Sequence, residues 1–140
     1  MSAYIYLAAI TLPGILLMLC YNKYVSTPKL RALHNAHEFR HARNLNAELI
    51  NLFCHYGDDL QSAGCLFNGA TYETTLANLQ VLHNNVYTAD VFNQLVGKQK
   101  VKRRHVDALH ASIAQQIQMQ QQVKETFNNI IGHYNRLVAA

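Results

Sequence analysis

The chain is 140 residues long, with 14% charged side chains and a net charge of +4 at pH 7. Globular domains carry about a quarter charged residues. The shortfall is larger than one apolar segment explains, and asparagine and glutamine supply much of the polarity instead. The positive balance is small and gathered in two places, which excludes a uniformly basic protein, and three cysteines without Cys-x-x-Cys spacing do not make a disulfide framework. Free thiols in a reducing compartment are expected, with a Cys54–Cys65 pair as the alternative if the domain lay outside the cell.

Residues 3–21 (AYIYLAAITLPGILLMLCY) hold no charge, and only Thr11, Pro13 and Gly14 interrupt their apolar run. About 20 such residues at about 1.5 Å each cross the hydrocarbon core of a bilayer. The expectation is an uncleaved transmembrane anchor over residues 1–22, followed by one domain over residues 23–140. A secretory signal would need basic residues before the run and a small pair after it; Met1, Ser2 and the segment Leu19-Cys20-Tyr21-Asn22 provide neither. Pro13 and Gly14 are tolerated in lipid and mark a kink or a close helix approach, so they are the membrane-packing positions. Lys23, Lys29, Arg31, Arg40 and Arg43 follow the run. The positive-inside rule then places the N-terminus outside and the domain on the cytoplasmic side of a cell (inner) membrane. Tyr4, Tyr6, Tyr21 and Tyr24 suit the two interfacial belts, and no Asn-x-Ser/Thr sequon argues for an extracellular domain.

Past the anchor, Thr27 reads as an N-cap with Pro28 at the first helical position, and the helix runs to Tyr56 and ends at Gly57. At about 100° per residue, Leu33, Phe39, Ala42, Leu49, Ile50 and Phe53 share its inner side. Residues 57–70, with three glycines, read as the main loop, where Asp58-Asp59 has no visible partner. A second helix is predicted from Thr71 to about Asn85 on Leu76, Leu79, Val81 and Leu82. After a break at Asn84-Asn85 and Thr88, a short third follows on Val91, Phe92, Leu95 and Val96, ending at Gly97. The last helix is the clearest: Val106, Leu109, Ile113, Ile117, Val123, Phe127, Ile130, Tyr134 and Leu137 or Val138 recur at threes and fours. No stretch alternates with period two. The fold class is all-α: a single-pass helix continuing into a long antiparallel bundle of three or four helices.

Three short stretches carry a family likeness: Tyr21-Asn22-Lys23-Tyr24-Val25, the segment RNLNAELIN at residues 43–51, and FNNIIGHYNRL at residues 127–137. Together they resemble the LemA family of membrane-anchored bundle proteins, with Ala47 and Glu48 standing where that family has proline and asparagine. The resemblance implies an N-out topology, a long four-helix cytoplasmic bundle and a role in organising membrane structures, without an established catalytic activity.

Three other features bear on chemistry. His37-Glu38-Phe39-Arg40-His41 is a literal H-E-x-x-H on a helix, where i, i+4 histidines can share zinc and the glutamate can activate its water. His34 completes a conceivable ligand set. Arg40 lies between the ligands, about 118 all-helical residues leave little room for the sheet-edge cleft such enzymes use, and the stripe faces away from the apolar side, so a polar outer face is preferred to a zinc hydrolase. Leu30, Leu45 and Leu52 share that stripe and make it a candidate subunit interface. Lys98, Lys100, Lys102, Arg103 and Arg104, with His105, form a basic cluster suited to anionic lipid headgroups. Nucleic acid is disfavoured because no aromatics are interleaved. A three-helix bundle returns this cluster to the membrane, whereas a four-helix bundle puts it at the far end. The glutamine-rich run at residues 115–122 gives a helix face of low charge, with Gln116 and Gln120 as interface positions. The expected function is that of a scaffold that uses no cofactor and pairs with copies of itself or with membrane-complex subunits.

Overall fold

In the structure, a computed structural model, residues 13–140 are described except residues 63, 65 and 68. Residues 3–12 of the expected span, with Tyr4 and Tyr6, lie outside the described residues, as does Cys65 of the alternative cysteine pair. The described chain opens in a helix that runs without a break to His55. Residues 13–21 are α-helical, Asn22–Ser26 form a π-helical turn, and α1 covers Thr27–His55. Pro28 accounts for the wide turn. It lacks an N–H, and its ring crowds the carbonyl four residues back, so it cannot sit inside a regular α-helix. The chain takes up an extra residue ahead of it: the Thr27 N–H donates to Asn22 O, and the Thr27 hydroxyl donates to the same oxygen. Thr27 is thus helical (φ −61°, ψ −45°) and not an N-cap. The helix start expected at Thr27-Pro28 lies inside a continuous rod.

The inward stripe of α1 is Asn35, Phe39, Ala42, Leu45, Asn46, Leu49 and Phe53. Leu33, expected among them, is 68% exposed on the opposite side. Beyond Tyr56 the expected loop is instead built structure. A short helix α2 (Gly57–Ser62) leads into a two-stranded hairpin, β1 (Leu66–Phe67) and β2 (Ala70–Thr71), with Leu66 opposite Thr71 and Phe67 opposite Ala70. Two-residue strands are too short to show alternation, but the dipeptide Asn68-Gly69 is a strong hairpin signal, and Gly69 has the positive φ (83°) such turns demand. The hairpin's purpose in the fold is Phe67, which closes the end of the core 4.7 Å from the Phe53 ring.

The chain then returns. Helix α3 (Tyr72–Asn85) is capped by Thr71, whose hydroxyl accepts from Thr74 N, and α4 (Ala89–Leu95) is capped in the same way by Thr88 from Val91 N. Helix α4 ends in a Schellman turn: Gly97 is left-handed at φ 78°, Lys98 N donates to Asn93 O at 2.9 Å, and Gly97 N donates to Gln94 O. The 37-residue α5 (Arg103–Ala139) completes the fold.

Cross-contacts define the topology. Arg31 faces Asp107, His34 faces His110, Asn46 bonds Gln120, Glu48 meets Lys124, and the Phe53 ring stacks on Phe127. The sequence offset stays nearly constant, so α1 and α5 run parallel. Asn35 bonds Leu95 O and Asn46 bonds Leu79 O, so α3 and α4 run antiparallel to both. Among the described residues the fold is all-α, a three-legged, up–down–up bundle of five helices: the three-helix form of the expected antiparallel bundle, in which consecutive legs are antiparallel, and not the four-helix form that the LemA resemblance implies. One apolar cluster (Leu45, Leu49, Phe53, Phe67, Leu79, Val123, Phe127) fills the far half, and a second (Phe39, Ala42, Tyr87, Leu95, Ile113, Ile117) fills the near half. Val81, Tyr134, Leu137 and Val138, expected inside, are exposed. The last three lie on the part of α5 that continues past the end of α1, with no helix of the described residues beside it.

Candidate functional site

Because the bundle has three legs, the α4–α5 loop returns to the start of α1. The two basic stretches of the sequence meet there around an open cleft of about 690 Å³. Lys23, Lys29 and Arg31 come from the rod and Arg103 from the first turn of α5. The floor is apolar, from Pro28, Leu95, Val96, Val101 and Val106. Asp107 is the only carboxylate of the lining, which leaves a surplus of three positive charges. It lies 3.8 Å from the Arg31 guanidinium and 4.0 Å from that of Arg103. All three side chains are well exposed, so these long ion pairs contribute little stability. Lys98, Lys100, Lys102 and Arg104 stand exposed beside the cleft. The buried Asn35 side chain donates to Leu95 O at 3.1 Å and locks the end of α4 against α1 beneath it. The Schellman turn holds the start of the loop.

The position of Arg103, Arg104 and His105 is electrostatically adverse. They occupy the first turn of α5, which holds no acidic residue of its own, where the helix macrodipole favours negative charge. Lys102, at the N-cap, makes no side-chain capping bond. Sequence reasoning found this cluster but used Lys23, Lys29 and Arg31 only to orient the membrane span; their convergence with it depends on the return leg.

The histidine stripe is placed differently. His34, His37 and His41 are exposed along α1, and Arg40 lies over the Phe92 ring at 5.6 Å. His34 pairs with His110 of α5, ring centroids 5.3 Å apart. Among the described residues no three histidine, cysteine, aspartate or glutamate side chains are grouped to hold a metal, Glu38 included. Cys20 and Cys54 are free thiols.

Two of the expected interface residues are corrected. Leu45 belongs to the far core cluster, and Gln120 is 2% exposed between the helices. The helical wheel put Leu45 on the outer stripe, but α5 lies along that flank of α1. Leu52 is half-buried against the far cluster and Gln116 is half-buried, while Leu30 is exposed. Gln120 is the centre of a buried hydrogen-bond chain that sequence reasoning missed. Its amide donates to Asn46 Oδ1 (3.1 Å) and to the Tyr87 hydroxyl (2.9 Å). Asn46 donates to Leu79 O, Tyr87 donates to Gln116 Oε1 (2.9 Å), and Gln116 donates to Ser112. All three legs are joined through it. Burial drives the Tyr87 hydroxyl up to about 12, against a smaller downward pull from the Gln120 hydrogen bond. A usable signal was present: Asn35 and Asn46 are three helical turns apart on the same face as Phe39 and Leu49.

Fold and site together define a class: a helical bundle on a rod-like apolar leader, with a basic cleft where the two join. No family model matches the chain, and no curated protein or solved structure does either, so the LemA likeness rests on its three short stretches alone.

Proposed function

We propose that the chain is a membrane-anchored scaffold: the apolar leader sits in the bilayer, and the bundle, held upright on it, packs sideways against copies of itself. One observation carries this reading. Ile15, Leu16, Leu17, Met18, Leu19 and Tyr21 are all more than half exposed around the full circumference of a helix that no other described residue covers. A bare apolar surface of that kind needs an apolar environment. The described residues contain no helix long and apolar enough to cross a membrane, since only the final nine residues of the expected span fall among them. The rest of the case is therefore made by the sequence of residues 3–12. Continuity through the π turn supports a rod whose bundle orientation is set by the membrane. For lateral packing, Leu30 and Leu33 give an exposed apolar pair at the base of α1. The cytoplasmic placement of the bundle and the LemA-like role belong to the same proposal, which involves no catalytic step and no cofactor.

The test is extraction and mass. The whole chain should stay in the membrane through alkaline washing. In non-ionic detergent it should run as a defined oligomer unaffected by a chelator and broken down by Leu30→Asp with Leu33→Asp. A chain that is monomeric in buffer without detergent sinks the proposal.

A further inference from the structure

The cleft at the base of the bundle lies where an inserted leader would leave the bilayer, and it offers cations and an apolar floor together. We propose that it binds a single anionic phospholipid, its phosphate held by Arg31, Arg103, Lys23 and Lys29 and its upper acyl segment lying against Pro28 and Val101. This rests on the anchor reading of the leader. Three observations carry it.

The charge is complementary, with four cations against Asp107 alone. Asp107 is also shared between two guanidiniums at 3.8 and 4.0 Å, too long to saturate either. It holds Arg31 and Arg103 near one another while most of their N–H donors remain free for a phosphate, which guanidinium forks bind in bidentate fashion. The size, about 690 Å³, lies within the usual range of small-molecule sites and suits a glycerophosphate headgroup better than a single ion. The cleft has no aromatic side chain in its lining, so nucleic-acid bases would find no stacking platform. Finally, the site is built: the Asn35–Leu95 O bond and the turn at Gly97 hold its wall. The exposed Lys98, Lys100, Lys102 and Arg104 beside it add a diffuse attraction for an anionic surface, and the cleft adds the choice of one molecule.

The experiment uses the whole chain in nanodiscs of phosphatidylcholine with a minority of phosphatidylglycerol. The lipids retained on release into non-ionic detergent are counted by native mass spectrometry. One phosphatidylglycerol per chain should be retained in preference to phosphatidylcholine. Arg31→Gln with Arg103→Gln should lower that retention about thirtyfold, and Arg103→Gln alone about fivefold. Asp107→Asn, which spares both guanidiniums, should not lower it, and Arg136→Gln at the far end should change nothing. Both arginines face solvent, so the melting curve should be unchanged. An inserted chain that retains both lipids equally, or a double variant that retains phosphatidylglycerol as the parent does, overturns the site and leaves the anchor standing. A chain that does not float with liposomes overturns the anchor and the lipid together. Saturable binding of inorganic phosphate or of a single-stranded oligonucleotide, lost in the double variant and unaccompanied by a lipid preference, assigns the cleft to that ligand and overturns the lipid.

Discussion

Gly57 and Tyr72 show how single positions hold the far end of the bundle. The Tyr72 ring stacks on Phe53 at 5.4 Å, and its hydroxyl donates to Phe53 O at 2.6 Å, capping a carbonyl that the end of α1 leaves without a helical partner. A Cβ on Gly57 would lie 2.7 Å from that hydroxyl oxygen. Gly57→Ala should therefore cost about 1–2 kcal/mol by breaking the bond, and much less in a Tyr72→Phe background; a double-mutant cycle on the unfolding free energy reads the difference. Tyr87 supplies a pH dependence. Its proton is held up to about 12 in the fold and released near 10.0 when unfolded, so the unfolded state loses it first. Its contribution is complete below pH 10 and fades as pH rises towards 12, by on the order of 2 kcal/mol. Burial raises Tyr72 in the same direction, with smaller contributions from Cys54, Asp58 and Glu73. Denaturation followed from pH 8 upward should show the loss, and Tyr87→Phe should flatten part of it.

Among the elements, α5 carries an opposition between stability and the cleft. Its first turn is basic where its macrodipole favours acid. Arg104→Glu should raise the unfolding free energy by about 0.5–1 kcal/mol while weakening adsorption to anionic vesicles, both read on one purified variant. A positive first turn is costly unless an anion is near, and the exposed Asp107 offsets it only through a long contact to Arg103. The rod is the second such element. Pro28 at the start of α1 is a break signal in an isolated segment, yet a one-residue widening absorbs it and lets the helix pass through.

At the scale of the whole molecule, the parallel register of α1 and α5 decides what is core and what is surface. Phe53 and Phe127 stack at 5.9 Å near the end of α1, and beyond them α5 continues with no helix of the described residues at its side. Phe127, 2% exposed, and Tyr134, 50% exposed, belong to one sequence periodicity and should differ sharply in worth. Phe127→Ala should cost about 3–5 kcal/mol and Tyr134→Ala under about 0.5 kcal/mol, measured by denaturation in detergent. The hydrogen-bond chain from Ser112 to Leu79 O, exposed at Ser112 and buried at Gln120 and Asn46, has a related part. It sits between the two apolar clusters, and a one-turn slip of α5 would leave Asn46 and Tyr87 unsatisfied in the interior.

The four longer helices and the end of α4 at Gly97 were legible in the sequence alone, because apolar spacing and a left-handed glycine act within a few residues of chain; α2, read as loop, and the capping roles of Thr71 and Thr88, read as a helix start and a break, came from the structure. The basic cluster was equally legible as a cluster. Its meeting with Lys23, Lys29 and Arg31 was not, since that depends on the number of legs and is a contact between segments some 70 residues apart. The same holds for Leu45 and Gln120. A helical wheel gives the angle of each side chain but not how many neighbours the helix has, and with two neighbours α1 buries a wider arc than one apolar stripe predicts. Only the packed structure could turn an outward leucine into core and a surface glutamine into the joint of three helices.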